Sequence, residues 1–186
     1  MERNKAISII ARYELENLSK KEREEELLSW WGIDHENPEF HVLPSELQQE
    51  ILQSDEPVTD VRDRGYDPLL TISLKSEFVG VKNEYLSERI SKILGKKILV
   101  EGKEETLLTC PCCKYQTLME RGQYDICPVC FWEEDGSDEP THYSGPNHMT
   151  LAEGRENFIK YGAVTEMSLQ FIKIDAKRRY FKADSE

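Results

Sequence analysis

All five cysteines of this 186-residue chain fall between Cys110 and Cys130. Cys110-Pro111-Cys112-Cys113 is followed, after 13 intervening residues, by Cys127-Pro128-Val129-Cys130. Taken as two Cys-x-x-Cys pairs, Cys110 with Cys113 and Cys127 with Cys130, this is the spacing of a four-cysteine zinc site. Two intervening residues let one tight turn aim both sulfurs at a common point, and two such turns complete a tetrahedron with zinc–sulfur bonds of about 2.3 Å. Four thiolates leave no coordination position for water, so the expected zinc is structural and no catalysis is assigned to it. A redox role for the pairs would need a single Cys-x-x-Cys at a helix start within an α/β pattern, which the chain lacks. Cys112 is left over: a small buried residue, an alternative ligand, or a nucleophile if His142 or His148 folds back onto it.

The segment after the second pair offers chemistry of another kind. Glu133, Glu134, Asp135, Asp138 and Glu139 form an acidic loop directly after Phe131-Trp132, with Tyr143 shortly beyond. An aromatic anchor beside a negative patch suits burial in a protein partner and steering of a basic one. We therefore expect Trp132, Glu133, Glu134, Asp135, Asp138, Glu139 and Tyr143 to contact a partner. Calcium ligation by Asp135 and Asp138 fails, because the later Glu of an EF-hand loop is missing.

The elements that must position these residues read as α+β. In the first hundred residues Ile7, Ile10, Ala11, Leu15 and Leu18 recur at helical steps. Ser19 with Glu22 and Ser45 with Gln48 have capping-box spacing ahead of Leu27, Leu28 and Trp31 and of Leu47, Ile51 and Leu52. Leu70, Leu74 and Phe78 predict a fourth helix before Gly80, and Leu86, Ile90, Ile93 and Leu94 a fifth that Asn83 can cap. Ile98–Val100, Thr106–Thr109 and Gln123–Ile126 predict strands of a zinc ribbon with its cysteine turns at hairpin ends. Thr150 and Glu153 predict one more helix, ending at Gly162, and Leu169, Phe171, Ile172 and Ile174 a terminal strand. The expected organisation is an all-helical domain over residues 1–96 and a small zinc-ribbon-like β domain, with a C-terminal helix and strand, over 97–186.

Charge narrows the function classes. Lys and Arg number 24 against 36 Asp and Glu, a net charge of −12. Nucleic acid and anionic lipid are repelled on average by such a chain, so neither is expected as a partner, whereas a protein with a basic cleft is attracted. No apolar run approaches a membrane span and the first residues lack a signal-peptide pattern, so the cytoplasm is the expected compartment.

From Cys110 to Phe158 the chain resembles the bacterial cysteine-rich CPCC family. The resemblance rests on Cys-Pro-Cys-Cys, on Tyr124-Asp125-Ile126-Cys127-Pro128-Val129-Cys130-Phe131-Trp132-Glu133-Glu134-Asp135, on Gly145-Pro146-Asn147-His148, and on Leu151-Ala152-Glu153-Gly154-Arg155-Glu156-Asn157-Phe158. It implies a small zinc-ribbon-like domain. Members often look like immunity proteins of polymorphic-toxin systems, cytoplasmic proteins that bind and neutralise one toxin. The expected function is accordingly an immunity protein that occludes the active site of a cognate toxin and performs no catalysis. The alternative is a zinc-ribbon adaptor of a nucleic-acid or metabolic assembly, for which Lys114 and Arg121 are the only basic candidates between the cysteine pairs.

Overall fold

The computed structural model describes residues 1–183 and divides into two compact units. One comprises Met1–Val79 and Leu86–Gly102, the other Gly80–Tyr85 and the chain from Lys103 onward. The fold class is α+β, with a helical N-terminal region and small two-stranded sheets near the cysteines. Among the described residues no helix is long and apolar enough to cross a membrane.

The first unit is built from α1 (Arg3–Asn17), α2 (Lys20–Trp30), α3 (Ser45–Gln53), α4 (Asp67–Ser76) and most of α5 (Asn83–Leu94). Glu2 caps α1, its carboxylate accepting from the backbone N–H of Asn4 and Lys5 at 2.8 Å each. Ser19 and Glu22 form the expected capping box of α2. At α3 the box does not form, because Pro44 takes the cap position and Ser45 is already the first helical residue. Leu27, Trp31, Phe40, Leu47, Ile51, Tyr66, Leu69 and Leu70 make one buried cluster, the apolar faces closing against one another. Ile98–Val100, expected as a ribbon strand, instead belongs to this unit. Its backbone runs along α5, with the Ile98 and Val100 N–H groups donating to the hydroxyls of Ser91 and Ser87 at 2.8 Å each.

The second unit carries β1 (Leu108–Thr109), β2 (Gln116–Leu118), β3 (Tyr143–Ser144), β4 (Met149–Thr150), α6 (Leu151–Tyr161) and α7 (Ala176–Arg179). β1 pairs antiparallel with β2 and β3 with β4. The Thr150–Glu153 capping box starts α6, and Gly162 ends it at a φ of 89°, as the sequence predicted. The terminal strand is displaced from its expected place. Met167–Phe171 is a short 3-10 turn, and Leu169, Phe171 and Ile174 are exposed, Phe171 stacking its ring on Phe131 with 5.1 Å between centroids. The extended segment lies later, where the Phe181 carbonyl accepts from Gln116 N–H and Ala183 N–H donates to the Lys114 carbonyl, both at 2.9 Å.

Candidate metal centre

Each Cys-x-x-Cys pair sits on a turn closed by the same two backbone bonds. Lys114 N–H donates to the Cys110 carbonyl at 3.0 Å, and Cys110 N–H donates to the Tyr115 carbonyl at 2.8 Å. In the second turn Phe131 N–H donates to the Cys127 carbonyl at 2.8 Å, and Cys127 N–H to the Trp132 carbonyl at 2.9 Å. Pro111 and Pro128 follow the first cysteine of each turn, where their fixed φ favours the bend. Lys114 and Phe131 follow the last, at φ 66° and 68°, a left-handed conformation that non-glycine residues adopt only when the surroundings enforce it. Here the paired backbone bonds on either side enforce it twice.

The turns bring four sulfurs together. Sγ of Cys110 lies 3.7 Å from that of Cys130 and Sγ of Cys113 lies 3.6 Å from that of Cys127, with all four within 4.8 Å of one another. A regular tetrahedron with 2.3 Å metal–sulfur bonds has an edge of about 3.8 Å, so the cluster matches a tetrahedral metal shell in size. The cysteines are free and fully buried. Thr117 places its hydroxyl 3.1 Å from Cys127 Sγ.

Crowding four thiols in a buried volume pushes their acidities apart. Burial resists ionisation of Cys127, but hydrogen bonds from Cys110, Cys113, Cys130 and Thr117 outweigh it and hold its thiol well below the ordinary value. Cys113 is pushed up by hydrogen bonding with Cys110 and Cys127. Burial and the same neighbours push up Cys130. A divalent cation removes this conflict by replacing the shared protons, so the donor set fits a soft-ligand metal ion.

The surrounding residues fasten the turns to α6. Trp132 lies against Gly154 so closely that a methyl group built on that glycine would meet the indole at 2.8 and 3.0 Å. Arg155 Nε donates to the Pro111 carbonyl at 3.1 Å, and Val164 N–H to the Cys130 carbonyl at 2.8 Å. Asn147 clamps the backbone of Glu133, accepting from its N–H at 2.9 Å and donating to its carbonyl at 2.7 Å. Cys112 is buried, with its sulfur also against Gly154.

The acidic loop is arranged differently from its sequence expectation. Trp132 is 1 % and Glu134 0 % exposed, which removes both from the accessible surface. Glu134 accepts from Arg121 Nε at 2.8 Å, from Gly136 N–H at 2.9 Å and from Gly122 N–H, a buried charge with its partners supplied. The Asp135 side chain is nearly buried, Oδ1 accepting from Ser137 N–H and Oδ2 facing His142 Nε2 at 3.4 Å. Glu133 is half-buried, whereas Asp138, Glu139 and Tyr143 are exposed. Of the residues that hold this structure, the sequence reading took Arg121 only as a basic candidate of an adaptor, and Asn147, Gly154 and Arg155 only as parts of the family motifs, with no role in holding the loop or the turns. The one available signal was Gly154, a glycine inside a helical pattern and hence a mark of close approach.

Residues 108–178, less than half of the chain, match the family model described as Cysteine-rich CPCC. No curated protein and no solved structure matches the chain.

Proposed function

We propose that this protein is an immunity protein of the cytoplasm, which binds a cognate toxin domain and occludes its active site without catalysis. Zinc is the metal we assign to Cys110, Cys113, Cys127 and Cys130, where it would supply folding free energy on the order of 10 kcal/mol. The observation that carries the reading is the closed sulfur cluster: four buried thiols at tetrahedral spacing use every position a four-coordinate ion has. What such a centre provides is rigidity, which lowers the ordering cost of binding. A net charge of −12 favours a toxin with a basic cleft and speeds its approach. Exposed Asp138, Glu139 and Tyr143 are the members of the acidic loop available for contact.

Co-expression with a candidate toxin domain, taken from a neighbouring reading frame where one encodes it, tests the reading. Relief of toxicity and a stable complex on size exclusion are expected. Unrelieved toxicity with no complex overturns it. A second reading, a ribbon adaptor in a nucleic-acid or metabolic assembly, is favoured by one observation: Lys114, Arg121 and Arg155 line a single cleft beside the first cysteine turn. Salt-dependent mobility shifts of nucleic acid would favour that reading over the first.

A further inference from the structure

That cleft has a volume of about 430 Å³, within the roughly 300–1,000 Å³ of small-molecule sites. In a chain carrying −12 its lining gathers three cations and one carboxylate, that of Asp138, with buried Glu134 behind Arg121 as a second. Buried groups hold the two guanidinium cations, and the turn backbone fixes where the exposed Lys114 side chain starts. Lys114 is the left-handed residue that closes the first turn. Arg155 is anchored through Nε on the Pro111 carbonyl. Arg121 is anchored through Nε on fully buried Glu134, leaving both terminal nitrogens to form a fork.

Asp138 already sits in the fork, each of its oxygens 3.1 Å from one terminal nitrogen of Arg121. Its side chain is 69 % exposed, and a surface pair of this kind is weak enough for a diffusible anion to replace it. Lys114 and Arg155 have no carboxylate partner among the described residues. A monocarboxylate would satisfy only part of this set. A phosphate monoester, with a charge of about −1.5 to −2 at neutral pH and three terminal oxygens, matches it in charge and in number of acceptors.

We propose that the cleft binds the phosphoryl group of a small phosphate ester, with Asp138 as the internal oxyanion that the ligand displaces from Arg121. The inference rests on neither functional reading above, because it is read on the isolated protein. A divalent ion on four thiolates leaves two negative charges at the metal centre, so the cations have a competing use in offsetting it. The experiment separates the two uses.

The metal-loaded full chain is titrated calorimetrically with inorganic phosphate and with adenosine 5′-monophosphate, the second probe distinguishing an ester from the free ion. Saturable binding of one ester per chain, weakened by salt, is expected. Lys114→Gln is expected to weaken it about fivefold or more at unchanged metal content. Asp138→Asn is expected to tighten it about threefold or more, whereas Glu139→Gln, an equal charge change at a residue outside the cleft, leaves it unaltered. The proposal is overturned if neither wild type nor Asp138→Asn binds either probe saturably, or if Asp138→Asn and Glu139→Gln act alike. It is also overturned if Lys114→Gln sheds metal while keeping its phosphate affinity.

Discussion

Gly154→Ala tests how the metal turns are fastened to α6, because two effects of opposite sign meet at one atom. In an ordinary helix interior the substitution is stabilising by about 1 kcal/mol, alanine being the better helix former. Here the added methyl would lie 2.8 Å from Trp132 Cζ3 and 3.0 Å from Cε3, inside the roughly 3.5–4.0 Å of favourable carbon contact. The indole is 1 % exposed and has no open side to retreat to, so the strain falls on α6 and on the second cysteine turn. Overpacking of this kind costs about 1–3 kcal/mol, and the central expectation is a net loss of about 1 kcal/mol. For a unit of this size that lowers the melting temperature by about 4–8 °C. Calorimetry on metal-loaded protein reads it, with Gly145→Ala as the control, since nothing lies within 4 Å of a methyl group there. A Gly154→Ala protein that melts at or above wild type would refute the packing argument.

Replacing Cys113 or Cys130 by Ser should reduce bound metal from the expected one equivalent to well below it and melt the second unit, whereas Cys112→Ser should keep the full equivalent; elemental analysis beside thermal melts decides this. Glu134→Gln keeps the shape but removes the buried one of the two charges that Arg121 meets, and a loss on the order of 2 kcal/mol is expected by denaturant titration, moderated because Arg121 is 31 % exposed and keeps Asp138. For pH, burial, followed by the hydrogen bond to Asp175, raises the Tyr85 phenol above its usual value. The folded state therefore holds this proton more tightly than the unfolded chain, so the contribution is complete below the unfolded pKa of about 10 and is lost as pH rises through the folded one. Tyr85→Phe should flatten the alkaline decline of stability, and equal slopes for the two proteins above pH 10 would count against it.

What could be read from the sequence was what is decided locally. The capping boxes at Ser19 and Thr150, the left-handed Gly162 and the two cysteine turns each depend on residues a few positions apart, so spacing alone foretells them. The burial of Glu134 could not be read that way. It depends on Arg121, 13 positions earlier, and on the close approach of Gly122 to Gly136, whose backbone N–H groups complete the carboxylate's set. An acidic run looks solvated until those partners are placed. Ile98–Val100 has strand composition, yet its hydrogen-bonding groups are taken by the serines of α5. In Leu169–Ile174 the apolar pattern was real but Leu169 and Ile174 face solvent and Phe171 stacks on Phe131, and the extended pairing falls to Phe181–Ala183, where little in the residue types announces it.

The matching hydrogen-bond pattern of the two cysteine turns also bears on how the centre assembles. Since each turn closes within six residues, a nascent chain can prepare two bidentate arms before any ion arrives. The ion then has a single loop left to close, the 13-residue span from Cys113 to Cys127, at an entropic cost on the order of 2 kcal/mol beyond the fixed term. In the folded chain the four thiols thus stand as two bidentate arms joined by one loop rather than as four independent donors.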